Sequence, residues 1–220
     1  MARWIGETKG RWLKTDLQEE RSAVRSLVPE LGGTWLGIDV AATVAKEAAA
    51  TDVMGSAADV RRLPFRDDAF DGILSTSTLD HFHDVAEIDV SLRELRRVMA
   101  PGGRMVLTLD NPENPLILLR NRLPDRSRRA TGLVQFHVGP TLSAAAGTAA
   151  LERSGFEVLA VEHLLHAPHI VGTRAARWSW FERRALPWFD GLAHTRAGRF
   201  SGHYVAFLAT PSPDAPPDPS

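Results

Sequence analysis

The sequence predicts an α/β fold with one doubly wound sheet, and two observations carry that expectation. The first is the stretch from Arg62 to Thr108. Here Phe70 to Thr76 is a short apolar run after an acidic turn, the mark of a buried strand. From Val85 to Met99 the apolar residues Val85, Ile88, Leu92, Leu95, Val98 and Met99 recur at three and four, as an amphipathic helix requires. Pro101-Gly102-Gly103 stops that helix, and Met105 to Leu109 is a second apolar strand. Strand, helix, turn and strand make a right-handed crossover unit of a parallel sheet. The second observation is the same alternation of strand and helix upstream, between residues 11 and 57.

Taken in order, residues 1–10 are a leader in which Trp4 and Ile5 can dock on the sheet. Arg11 to Leu17 predicts a short first strand with Trp12, Leu13 and Leu17 as its apolar residues. Gln18 to Leu31 reads as a helix through Ala23, Val24, Leu27, Val28 and Leu31, with Pro29 near its end. Gly32-Gly33 turns into a buried strand over Thr34–Val40; an alanine-rich helix over Ala41–Ala50 and a third strand over Thr51–Ala57 follow. Beyond the crossover unit, Asp110-Asn111-Pro112 is a turn, Pro115–Arg122 a short helix, and Leu123–Arg129 a basic loop. After a loop at His137–Pro140, Thr141–Ser154 is a helix with Gly155 as its C-cap, and Phe156–Val161 is a strand. His163 to Asp190 is an aromatic, arginine-rich excursion, and Gly202–Thr210 is a final strand. The proline-rich end, residues 211–220, is expected to be disordered.

The totals exclude several classes. A chain of 220 residues fits one domain, and 44% hydrophobic with 24% charged residues is ordinary for a soluble globular protein. A net charge of −1 argues against nucleic acid bound through a basic surface. With no cysteine there is no disulfide, thiolate metal site or cysteine nucleophile. No apolar run reaches the ~20 residues of a membrane span, and the N-terminus lacks a signal-peptide core, so a cytoplasmic location is the default expectation.

The wording of the central stretch is more specific than its pattern. Leu63-Pro64-Phe65 and Phe70-Asp71 precede one strand; Leu92-Arg93-Glu94, Arg97-Val98-Met99 and Pro101-Gly102-Gly103 join the next helix to the following strand. These resemble the second half of a class I S-adenosylmethionine-dependent methyltransferase, of the methyltransferase-11-like group, over roughly residues 11–210. The resemblance implies a Rossmann-like sheet of seven strands in the order 3-2-1-4-5-7-6 with the last strand antiparallel. It also implies acceptor-side insertions near residues 111–140 and 163–200. A small-molecule acceptor follows as the expected partner, with S-adenosyl-L-methionine as cofactor.

Ligands of an open parallel sheet sit beyond the carboxyl ends of its strands. Asp39 closes the second strand, where a carboxylate can accept both hydroxyls of a ribose; capping of the alanine helix is its alternative task. Val40 follows it in the same expected cofactor set. The resemblance places Asp59 against the adenine amino group, Val60 against the ring through its N–H, and Ser75 and Thr76 along the methionine end. The family's glycine-rich first loop is missing; Lys14-Thr15-Asp16-Leu17-Gln18-Glu19-Glu20 stands in its place. There Thr15 and Asp16 fall near the motif's acid and first glycine, and helix capping explains them equally.

On the acceptor side, the resemblance makes His81 the first choice for a base or acceptor contact, and a near-neutral imidazole suits the task. Asp80, Asp110 and Asn111 are expected to wall the acceptor, although turn chemistry alone would explain the last two. The cluster Asp80-His81-Phe82-His83-Asp84 has the residue types of a metal site, but capping by Asp84 accounts for part of it and no metal is expected. His163, His166 and His169 are three apart, yet Pro168 breaks helical spacing, which favours loop histidines. The arginines at 120, 122, 126, 128 and 129 suit either an anionic acceptor or a solvated surface. Trp178, Trp180, Phe181, Trp188 and Phe189 read as an apolar lid. The expected activity is methyl transfer to a small molecule. Its rival is a methyltransferase-like binding protein that has lost the cofactor.

Overall fold

A computed structural model describes residues 2–5, 8–17, 32–48, 53–124, 126, 139–166, 186–193, 195 and 197–213. The elements are α1 (Ala2–Ile5), β1 (Arg11–Lys14), β2 (Thr34–Asp39), α2 (Ala42–Ala48), β3 (Met54–Ala57) and β4 (Phe70–Thr76), then a 3-10 turn at Leu79–His81. They continue with α3 (Val85–Val98), β5 (Met99–Asp110), α4 (Pro115–Arg122), α5 (Ala144–Arg153) and β6 (Phe156–Leu164). The described part ends with α6 (Leu186–Leu192), α7 (Gly198–Ser201) and β7 (Tyr204–Pro211). The expected helix over residues 18–31 and the end of the tail lie outside the described residues.

The seven strands form one sheet in the order β3-β2-β1-β4-β5-β7-β6. Strands β1 to β5 pair in parallel, while β7 inserts antiparallel to both β5 and β6. Fold class and strand order are therefore as the sequence implied. The bounds differ where a turn or a neighbour overrides local pattern. β1 stops at Lys14, because Lys14↔Leu74 is its last pairing with β4. β5 begins at Met99, where the Phe70↔Met99 pairing captures the residues read as a helix stop, with a register shift before Gly72↔Arg104.

Alternation along the strands feeds a core on each face. Leu13, Ile38, Ile73, Met105, Leu107 and Phe207 pack with Ile88, Leu92 and Leu95 of α3 and Leu151 of α5. On the opposite face Trp12, Trp35, Leu74 and Val106 pack with Trp4 and Ile5 of α1. The indoles of Trp12 and Trp35 lie 5.1 Å apart, and a Cβ at Gly72 would stand 2.4 Å from the Trp12 ring. Gly72 is thus the vacancy the tryptophan fills.

The segments that carry the family resemblance have a mechanical reason. Glu94 of α3 accepts the Leu63 N–H at 2.7 Å and pairs with Arg97, whose guanidinium donates to Phe65 O at 2.8 Å, Leu63 O at 3.2 Å and Asp67 at 2.6 Å. The Arg97 guanidinium holds the Glu94 carboxyl below its usual range. The helix clamps the Leu63-Pro64-Phe65 turn and so sets where β4 starts. Asp84 and Glu87 form a reciprocal capping box at the start of α3.

Candidate functional site

Strands β1, β2, β4 and β5 run the same way, so their last residues gather on one edge. At the tip of β2, Asp39 Oδ1 accepts the Ala41 N–H at 2.8 Å, while Val40 beside it is 76% exposed. The carboxylate thus steadies the turn into α2, with an apolar side chain standing in the open next to it. Asp59 follows β3. Its carboxylate is forked by Arg61 Nε at 3.0 and 3.1 Å and also accepts the Arg61 N–H at 2.9 Å. Hydrogen bonding to Arg61 holds the Asp59 carboxyl below its ordinary value. Arg61 also pairs with Glu87 of α3 and lies 5.3 Å from the Phe82 ring centre, joining the β3–β4 loop to the segment after β4. Val60 is buried in the core.

The first loop differs from a glycine cradle. Lys14 is fully buried and its ammonium donates to the Asp16 carbonyl, while Leu17 folds inward so far that a Cβ at Gly37 would meet it at 2.2 Å. Thr15 Oγ1 donates to Ser75 Oγ at 2.9 Å and lies 2.8 Å from Thr78 Oγ1, which ties β1 to β4. Thr15 and Ser75, both expected at the cofactor, are therefore brought together, and their hydroxyls bond to each other. Thr76 Oγ1 is buried at the end of β4 with no hydrogen-bond partner, a polar atom left over at the ligand edge.

The residues expected on the acceptor side converge more tightly than sequence spacing indicates. Asp80 is 1% exposed; its Oδ2 accepts the Asp110 N–H at 3.0 Å, and its Oδ1 is buried without a hydrogen bond. Burial first, and the Asp110 charge second, push the Asp80 carboxyl up to about 6. Asp110 pairs with Arg120 of α4 and has His203 Nε2 3.7 Å away, while its carbonyl accepts from Thr141. His81 stands at the mouth with its side chain 34% exposed and Nε2 3.9 Å from Asp80 Oδ1.

Asn111 is fully buried. Its amide donates to Arg199 O and Gly202 O at 2.7 and 2.9 Å and accepts from the Glu113 N–H, so its polar atoms are engaged by backbone groups.

Sequence reasoning did not single out Lys14, Arg61 or His203. Nothing in the order of residues signals a buried lysine, or a histidine facing an aspartate more than ninety residues earlier. The sequence leaves Arg120 facing an acceptor or solvent; the anion it meets is Asp110. His166 bonds Ser201 Oγ and His163 O at 2.8 and 2.9 Å, as a loop histidine does. His169, Arg128, Arg129, Trp178, Trp180 and Phe181 lie outside the described residues. Among the described residues no three His, Asp or Glu side chains converge as a metal site, and Asp84 is engaged as the α3 cap.

Residues 21–107 match the family profile of a methyltransferase domain. A protein of unknown function from Escherichia coli K12 is 35% identical over 94 residues, covering 36% of this chain and 44% of that protein. A demethylmenaquinone methyltransferase of Mycolicibacterium paratuberculosis is 34% identical over 97 residues, covering 43% of this chain and 41% of that enzyme. The chain thus spans less than half the length of these curated relatives. Among solved structures, an S-adenosylmethionine-dependent methyltransferase from Mesorhizobium loti superposes with a TM-score of 0.62 at 19% identity, covering 94% of each chain.

Proposed function

We propose that the chain carries a methyltransferase domain of the class I fold and transfers a methyl group from S-adenosylmethionine to a small-molecule acceptor. The observation that carries this is the tip of β2. A partly exposed carboxylate, Asp39, stands beside an outward Val40, so one residue suits a ribose diol and the next suits a flat base. The matched domain covers this tip and those of β3 and β4. Asp39 and Val40 would hold the ribose and base, and Asp59 and the Val60 N–H would meet the adenine edge. Thr76, with its leftover hydroxyl, and Ser75 would lie along the methionine end, as would Thr15 and Asp16.

When bound, the cofactor supplies a methyl group activated on a sulfonium. The chain's own work is alignment and, for a hydroxyl or amine acceptor, proton removal. His81, its side chain 34% exposed, is open enough to touch an acceptor, and Asp80 and Asp110 would form the wall behind it. A small organic acceptor is in keeping with the demethylmenaquinone methyltransferase among its relatives.

One observation favours a second reading, a domain that keeps the fold and binds a partner without the cofactor: the first loop spends its hydroxyl on β4 and buries a lysine where glycines would open space. Calorimetry with S-adenosylhomocysteine separates the two. Binding below millimolar ligand, weakened roughly tenfold or more by Asp39→Ala, is the expected result. No heat at millimolar ligand would leave the second reading standing.

A further inference from the structure

Helix α4 carries its side chains the wrong way round for a surface helix. Ile117 is buried, and Arg120, with its side chain only 15% exposed, points inward to pair with Asp110 at the end of β5. Leu116, Leu118 and Leu119 face out at 59, 39 and 61% exposure. A helix on a globular surface ordinarily turns its leucines to the core and its arginines to water. A lone exposed leucine needs no explanation; three on two turns do. A second exposed apolar side chain belongs to the element tied to the start of α4. Asn111 and Asn114, flanking the turn into α4, donate to carbonyls of Arg199, Ser201 and Gly202, which binds α7 alongside, and Phe200 of α7 is 48% exposed.

Just past these leucines, Arg122 and Arg126 are exposed, in a chain whose net charge is −1. Outward leucines followed by exposed arginines offer apolar contact to acyl chains and positive charge to anionic headgroups.

We propose that α4, with the adjoining α7, docks this protein on the surface of an anionic lipid bilayer. The attachment is peripheral, since no described helix is long and apolar enough to cross a membrane. The Arg120–Asp110 pair pins α4 over the strand ends, so docking sets the acceptor side against the lipid. If the methyl transfer proposed above holds, the acceptor is then a lipid-soluble molecule taken from the bilayer; this corollary alone rests on that reading.

The test is co-sedimentation of the full chain with vesicles of phosphatidylcholine, and of phosphatidylcholine with about one-third phosphatidylglycerol, at low and high salt. Binding at least roughly tenfold tighter to the anionic vesicles, and weaker in salt, is expected. Leu116→Ser with Leu119→Ser, and separately Arg122→Gln with Arg126→Gln, should each lower it about tenfold while the melting temperature stays put, because all four side chains are exposed. Equal binding to both vesicles, binding to neither, or variants that sediment like the parent would overturn the proposal. So would a dimer in solution that the leucine variants dissolve while the parent ignores vesicles, since a second copy would then own the face. Calorimetry with S-adenosylhomocysteine on the same samples keeps the two ideas apart. Cofactor binding without vesicle binding removes the docking alone; vesicle binding without cofactor binding removes the acceptor corollary alone.

Discussion

Asp80→Asn replaces a carboxyl that the fold prefers protonated with its neutral isostere. Asp80 is 1% exposed and accepts the Asp110 N–H, a bond that an amide oxygen can keep. Burial and then the Asp110 charge raise the Asp80 carboxyl from 3.8 to about 6. The sign follows from linkage. A raised folded-state value means that the native protein binds a proton the unfolded chain has released, so this stabilisation is complete below about 3.8 and is lost as pH rises through about 6. The full span corresponds to roughly 3 kcal/mol, of which about half falls between pH 5 and pH 8. The variant lacks the titration. Its stability relative to the parent should therefore improve by about 1–2 kcal/mol between those two pH values. Urea unfolding followed by tryptophan fluorescence at each pH gives the comparison. Parent and variant curves that run parallel from pH 5 to pH 8 would refute the assignment of Asp80 as a carboxyl forced toward neutrality.

Arg97→Ala removes the clamp on the Leu63-Pro64-Phe65 turn and leaves Glu94, with its side chain 17% exposed, short of its cation. A loss of about 2–3 kcal/mol in urea unfolding is expected, and Glu94→Gln, which can still accept the Leu63 N–H, should lose less. Gly72→Ala drives a methyl group to 2.4 Å from the Trp12 ring and should cost about 1–3 kcal/mol, a fall of several degrees in Tm by calorimetry. Combining it with Trp12→Leu should cost less than the two single changes added together, because one side chain makes room for the other.

The sheet was legible in the sequence because its causes are local and periodic. Apolar runs of strand length, a helix with apolar residues at three and four, and glycine or proline punctuation predicted the β4–α3–β5 unit to within a few residues. Errors of extent fell where pairing outvoted pattern: Met99 to Gly103 reads as a helix end and a turn, yet pairing of Met99 with Phe70 draws it into β5. Strand order rested on resemblance, since parallel pairing leaves no mark in the order of residues.

The site was legible only as a set of positions. Asp39 and Asp110 could be placed at strand tips, and Asp59 and Asp80 just beyond them, by counting, because the parallel strands end on one edge. What each carboxylate does there depends on partners far away in the chain. Arg61 occupies Asp59, Arg120 and His203 surround Asp110, and Asp80 is denied water by all that packs over it. Periodicity dictates which face a side chain takes; desolvation and charge pairing act through space, and only the folded chain sets those distances.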